Sequence, residues 1–499
     1  MTAQETERPV RTYAGFVDER RTYAFGLTPF SFAVIAAIVL VTLALMFLSG
    51  SPLTALLLGG VLILLWVPLV LKGPQGKTGY EMLLLRRQWR RQRRTGRHIY
   101  RAGQLSNQAG GRSRLPGIAA ETELWWALDT NGHRFGMMRM PSTHQYTVLL
   151  RCRIGGAAGN DQHIVDGLVG SWANFLAMLG QVPNIAAAAV TIETLPDTGE
   201  RARANVDAIA HPDAPATARQ ILAERIAASA TGFRVHGRVA ITFDAATPAQ
   251  RKDPMAAAEM IGAQLPVLYS QLAHTDVTAL PMSDSDYAAV VRRAFDPAAE
   301  PDIERALTLG EYVCDWADAG PITAEEDVDK VTYRHDSGIS RVWTMTSPPS
   351  GFPTERVLAG LLSPNSQVPR KRVTEIFRPY SPADAAKTVE GDFKSAVAAV
   401  NTARGIGSAT ADIALESTNT ARVAEARGHG LVSMSMVITA TAESARELTA
   451  LDPEMRGLIS GARITARPAY MYQAAAFLGG LGIGVLLPDH STIPTSLRG

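Results

Sequence analysis

Gly76, Lys77 and Thr78 are the residue types that close a phosphate-binding loop: glycine for a tight turn, lysine for phosphate charge, a hydroxyl for magnesium. The pattern G-x-x-x-x-G-K-[ST] requires its first glycine at position 71, where the chain has Leu71, and Gly73 comes two residues late. The shortened turn cannot close the same nest of backbone N–H groups. The residues before it form a long apolar run rather than the strand of an α/β unit, so nucleotide binding is not expected here.

Other reactive constellations are equally incomplete. The ten histidines include no H-x-x-x-H or H-E-x-x-H pair, and Cys152 and Cys314 have no CxxC partner. No G-x-S-x-G elbow exposes a serine nucleophile. The acidic run "ITAEEDVDKV" supplies Glu325, Glu326, Asp327 and Asp329 but lacks the glycine turn and terminal glutamate of a calcium loop, so it reads as a solvated face. His236 and His429 each open a strand-like segment without a neighbouring acid or nucleophile, and read as strand-end histidines bonded to backbone. The expectation is no catalytic residue, no metal ligand, no cofactor and no enzyme.

The elements that would position any such group fall into distinct zones. Phe30 to Leu48 and Leu53 to Leu71 carry no charge, and each is near the roughly 20 residues that cross about 30 Å of hydrocarbon. The turn Ser49, Gly50, Ser51 and Pro52 between them predicts a two-span transmembrane hairpin with antiparallel helices. Between positions 72 and 101 there are ten Lys or Arg against Glu81, which by the positive-inside rule places both termini in the cytoplasm of a plasma-membrane protein. Within that stretch, Lys72, Lys77, Arg86, Arg87, Arg90, Arg91, Arg93, Arg94 and Arg97 interleave with apolar residues and Trp89. Such a pattern suits a helix held by anionic lipids, a protein-docking arm or a nucleic-acid arm.

Because the whole chain is only +2, the residues beyond 101 are net acidic, which argues against a general nucleic-acid surface there. Two cysteines give no disulfide framework and suit a reducing compartment. Residues 1–29 read as a cytoplasmic tail, 30–71 as the hairpin, and 72–116 as a basic helix and linker. Residues 117–300 and 301–499 read as two α+β domains. "FRVHGRVAITFD" is strand-like, and "PMAAAEMIGAQLPVLYSQLA" and "SDSDYAAVVRRAF" are helix-like, the last capped by Ser283 or Asp284. Thr278, Ala279, Pro281, Ala288 and Ala289 recur at identical offsets as Thr465, Ala466, Pro468, Ala475 and Ala476. This predicts an internal duplication, two ferredoxin-like βαβ repeats with antiparallel sheets. "AAAFLGGLGIGVLL", 14 residues with four glycines, reads as a buried helix and a glycine-rich turn.

The segment "YAGFVDERRTYAFGLTPFSF" ahead of the two apolar runs resembles the PrgI-type small membrane subunits of conjugative type IV secretion systems. The layout ending in "YQAAAFLGGLGIGVLLPDHSTIPTS" is similar to the non-catalytic N-terminal part of conjugation ATPases. Together they resemble actinobacterial membrane proteins of such mobile elements. The resemblance implies a non-enzymatic membrane scaffold of a conjugation apparatus that docks a separate ATPase and other channel subunits and assembles as an oligomer. The chain lacks the motor and its phosphate loop, so the ATPase would be another subunit. A two-span membrane component of type VII secretion and a membrane-tethered enzyme are the alternatives.

Overall fold

The computed structural model describes residues 29–491 apart from 50–51, 71–72, 74–76, 105, 107–113, 156–158, 210, 212, 230–231, 350–352 and 403–408. The N-terminal tail to residue 28 lies outside the described residues, as do Gly50, Ser51, Lys72 and Gly76. Contacts divide the chain into two units, one built from His98–Pro382 with His429–His490 and the other from the helices outside those ranges.

In the second unit, α1 (Pro29–Ser49) and α2 (Pro52–Val70) pack on each other, and α3 (Gly79–Arg94) follows. At Gly59 the two helices approach closely, since a Cβ there would lie 2.4 Å from the Thr42 hydroxyl. Among the described residues, however, no helix is long and apolar enough to cross a membrane. The transmembrane hairpin, the multi-pass plasma-membrane localisation with cytoplasmic termini and the classing as a membrane protein are corrected by that finding.

The first unit is α+β around one large antiparallel sheet. Before its repeats come β1 (Ile99–Arg101), β2 (Glu123–Leu128) and β3 (Arg134–Met140). The first repeat runs β4 (Gln145–Ile154), α4 (Gln162–Leu179), β5 (Ile185–Pro196), α5 (Glu200–Ile209), α6 (Ala216–Ser229), β6 (Phe233–Asp244), α7 (Pro248–Lys252), α8 (Pro254–Ala273), β7 (Val277–Pro281) and α9 (Asp284–Phe295). Next come α10 (Glu300–Leu309), α11 (Trp316–Ala319), β8 (Thr323–Glu326) and β9 (Tyr333–His335). The second repeat is β10 (Gly338–Ser347), α12 (Ala359–Leu362), β11 (Lys371–Pro379), α13 (Pro382–Thr402), α14 (Ala409–Ala426), β12 (Val432–Ala442), α15 (Ala445–Gly461), β13 (Thr465–Pro468) and α16 (Gln473–Gly480). The helices α13 and α14 belong to the second unit.

Each repeat orders its strands fourth, first, third, second, which is the split βαβ arrangement: β7-β4-β6-β5, then β13-β10-β12-β11. The registers coincide residue by residue. Pro281 faces Leu150, Leu150 faces Val239, and Val239 faces Val190. Pro468 faces Trp343, Trp343 faces Ile438, and Ile438 faces Val373 in the same order. Pro266 inside α8 and Pro453 inside α15 correspond. So do Asp276 (φ 58) and Arg463 (φ 54), both left-handed at the turn into the fourth strand. The ladder pairs His236 with Glu193, whereas the equivalent position in the second repeat, opposite Ile376, is Ser435 rather than His429.

The second strands of the two repeats, β5 and β11, pair with each other, so both repeats share one 13-stranded sheet. Alternate residues of each strand enter different cores, as period-two side-chain direction requires. Val148 and Leu150 join the α4 and α8 layer, Trp343 and Ile438 the α12 and α15 layer, while Leu149, Val342 and Val437 face α9 and α16 on the opposite side. Buried on both faces, β5 reads as a nearly continuous apolar run rather than an alternation. The repeats differ in one layer: where the first has the 18-residue α4, the second has the four-residue α12.

Candidate functional site

Charge is concentrated in both units, on a helix in the second and within the sheet in the first. In the second unit, Thr78 starts α3 with a capping box. Its hydroxyl accepts from the Glu81 N–H at 3.3 Å, and its own N–H donates to the Glu81 carboxylate at 2.8 Å. Thr78 thus serves as a helix cap. Thr78's hydroxyl is already engaged with its own helix.

From that cap, 3.6-residue periodicity sorts the basic run. Met82, Leu84, Leu85 and Trp89 are partly buried, and the Arg93 guanidinium lies 5.2 Å from the Trp89 ring centroid. Arg86, Arg87, Arg90, Arg91, Arg94 and Arg97 are exposed. Among the described residues no carboxylate lies in ion-pair range of these six. Arginines in the last turn complement the helix dipole. Against that, Arg86 with Arg90, Arg87 with Arg91, and Arg90 with Arg94 are like charges four apart, each pair costing about 0.2–0.5 kcal/mol. The structure therefore gathers the expected basic residues from 86 to 94 onto one helix, with Arg97 in the turn just past its end. Lys77 lies just before its cap, and Ser49 and Pro52 end α1 and begin α2.

In the first unit the charge is buried. Glu193 on β5 accepts from Arg238 on β6 at 2.9 Å and from Arg372 on β11 at 3.0 Å. Burial alone would raise the Glu193 carboxyl, but the two guanidiniums outweigh it and hold it well below the usual carboxylate range. The same arginines reach the glycine-rich segment after α16: Arg372 Nε donates to Gly480 O at 2.9 Å and Arg238 to Leu481 O at 2.7 Å. Tyr287 on α9 donates to Ile483 O at 2.9 Å.

Glycine is required where this segment crosses the sheet. A Cβ on Gly482 (φ +63) would lie 2.0 Å from the Thr191 hydroxyl, and one on Gly484 (φ +91) would lie 1.8 Å from the Thr147 hydroxyl. The segment is a strap bound to both repeats.

The remaining candidates are structural. Glu326 accepts from Ala474 N–H at 2.7 Å, and Asp327 pairs with Arg334 at 2.8 Å, so the acidic run closes the β8–β9 turn. Among the described residues no group of three His, Cys, Asp or Glu is placed to hold a metal. Burial pushes the Cys152 thiol up to about 12 and the Cys314 thiol up to about 11. His236 is lowered to about 3, chiefly by burial and then by Arg293. Sequence reasoning did not single out Glu193, Arg238 and Arg372. The available signal was a single carboxylate in "AVTIETL" and a single guanidinium in "HGRVAIT"; in "RKRVTEIF" Arg372 is one of four charged residues and does not stand out.

Residues 20–81 match a family model described as a domain of unknown function, DUF8461. The match takes in α1, α2 and the first turn of α3, well under half of the chain. No curated protein matches the chain.

Proposed function

We propose that this chain is a non-enzymatic scaffold of a type IV secretion-like conjugation apparatus that docks a separate ATPase subunit. The observation that carries the docking reading is the fused double repeat with its paired helical insertions. Two split βαβ repeats joined through β5 and β11 form a single rigid platform, because fixing one sheet edge fixes the other. Each repeat lengthens the same connection, from its second to its third strand, into two helices: α5 and α6 in the first, α13 and α14 in the second. In the second pair, Arg422 lies 3.9 Å from the Phe393 ring centroid, which ties α14 to α13. The insertions leave apolar side chains outward, with Ile209 at 82%, Ile221 at 54% and Ile413 at 46% exposure. Long insertions on a rigid scaffold are where partner contacts concentrate.

The test is affinity purification of the tagged full chain from its native cells, beside a variant carrying Ile413→Asp and Val423→Asp. Recovery of a conjugation-type ATPase with the parent and its loss with the variant, at unchanged thermal stability, is the expected result. Purification of the parent without any ATPase contradicts the proposal.

A further inference from the structure

The geometry of the arginine face of α3 identifies a different ligand. We infer that this face binds the phosphate backbone of a nucleic acid without reading its sequence. Arg86, Arg87, Arg90, Arg91, Arg94 and Arg97 are exposed, and among the described residues none has an anionic partner. At 1.5 Å per residue, successive rungs of this face stand about 6 Å apart. That is close to twice the roughly 3.4 Å axial repeat of phosphates on one duplex strand. Guanidinium groups bind phosphate oxygens bidentately, and a row of them gains affinity by releasing condensed counterions.

The alternatives fit the same face less well. A helix lying in a lipid interface needs an exposed apolar face to bury. Here Leu83, 52% exposed, is the one large apolar side chain exposed on α3. A protein-docking surface centres on aromatic and aliphatic anchors with charge depleted from the core. Here the lone aromatic in the middle of the helix, Trp89, is partly buried with Arg93 over its ring. The same lack of an exposed ring removes base stacking, so contact stays with the backbone.

The test is fluorescence anisotropy of the full chain with short labelled single-stranded and duplex DNA of two unrelated sequences, between 50 and 200 mM salt. One variant carries Arg87→Ala, Arg90→Ala, Arg91→Ala and Arg94→Ala, and a second carries lysine at the same four positions. The parent is expected to bind both sequences equally, with log affinity falling linearly in log salt. The alanine variant should bind at least tenfold more weakly. Its salt slope should be shallower by about 0.9 per lost duplex phosphate contact and about 0.7 per single-strand contact. The lysine variant should keep most of the affinity and the slope, which separates lost charge from a damaged helix. Three outcomes overturn the inference: no binding at 50 mM salt, equal binding by the alanine variant, or displacement of DNA by polyglutamate at matched charge, which would identify an acidic protein. Capture by phosphatidylserine vesicles without DNA binding would also overturn it, in favour of a lipid.

Discussion

Thr191 and Thr374 face each other across the β5–β11 seam with their hydroxyls 3.1 Å apart, and they are corresponding residues of the two repeats. The axis relating the repeats therefore passes between these two side chains. On one side of it Glu193 opposes Arg372, and on the other Ala189 opposes Ile376. The join is symmetric in backbone and asymmetric in charge. Because Arg372 also holds Gly480, the ionic side fixes where the strap crosses.

The strap has no room for a side chain at Gly482, where a Cβ would overlap the Thr191 hydroxyl and the backbone is left-handed. Gly482→Ala should lower stability by about 2–4 kcal/mol, from overpacking plus a disfavoured φ. Gly457→Ala, inside α15 with nothing within 4 Å of its Cβ, should be neutral or stabilise by up to about 1 kcal/mol. Urea denaturation of both variants checks the contrast.

Breaking the buried ion triad should cost more than replacing it. Glu193→Ala leaves Arg238 and Arg372 buried without their anion, and should destabilise by about 3–5 kcal/mol. Because the Glu193 carboxyl is held below its ordinary 4.5, the stability it contributes is complete above that value and is lost as pH falls. The parent should therefore lose stability on acidification more steeply than Glu193→Ala, measured by thermal melts from pH 7 to pH 3.

Glu375 has the opposite sign. It occupies the position equivalent to Ile192, between Val190 and Met436, and burial raises its carboxyl to about 7. Its contribution is full below 4.5 and disappears as pH rises through about 7. Glu375→Gln should match the parent near pH 5 and exceed it by about 1–3 kcal/mol at pH 8. Equal stability of the two proteins at both pH values would contradict this assignment.

The cap of α3 gives a local prediction. Thr78→Ala removes the acceptor for the Glu81 N–H and should destabilise the helix by about 1 kcal/mol. Thr78→Ser should restore it, read by hydrogen exchange of the amides in the first turn of α3.

Much of the first unit was legible because its signals are local. The strand Phe233–Asp244 and the helix Pro254–Ala273 carry the bounds of the segments read as strand and helix, and Ser283 caps α9 through the Asp286 N–H at 3.1 Å. The offset shared by Pro281 and Pro468 was visible as well, since both prolines sit where a fourth strand ends. The ionic centre was not, because Glu193, Arg238 and Arg372 lie on three strands and Arg372 is 179 residues from Glu193. Apolar run length was the misleading signal at α1 and α2, since uncharged runs of that kind do not by themselves distinguish a membrane span from helices packed on each other. The basic run was legible as charge. Which of its residues share a face became clear only from the helix that starts at Thr78.

Docking of a separate ATPase is the central claim, and cross-linking mass spectrometry of the full chain purified with its partners tests it most directly. The account predicts cross-links from a conjugation-type ATPase to α13, α14 or the α5–α6 insertion. Recovery of that ATPase with cross-links confined to other surfaces, or of assemblies that contain no ATPase, would contradict it.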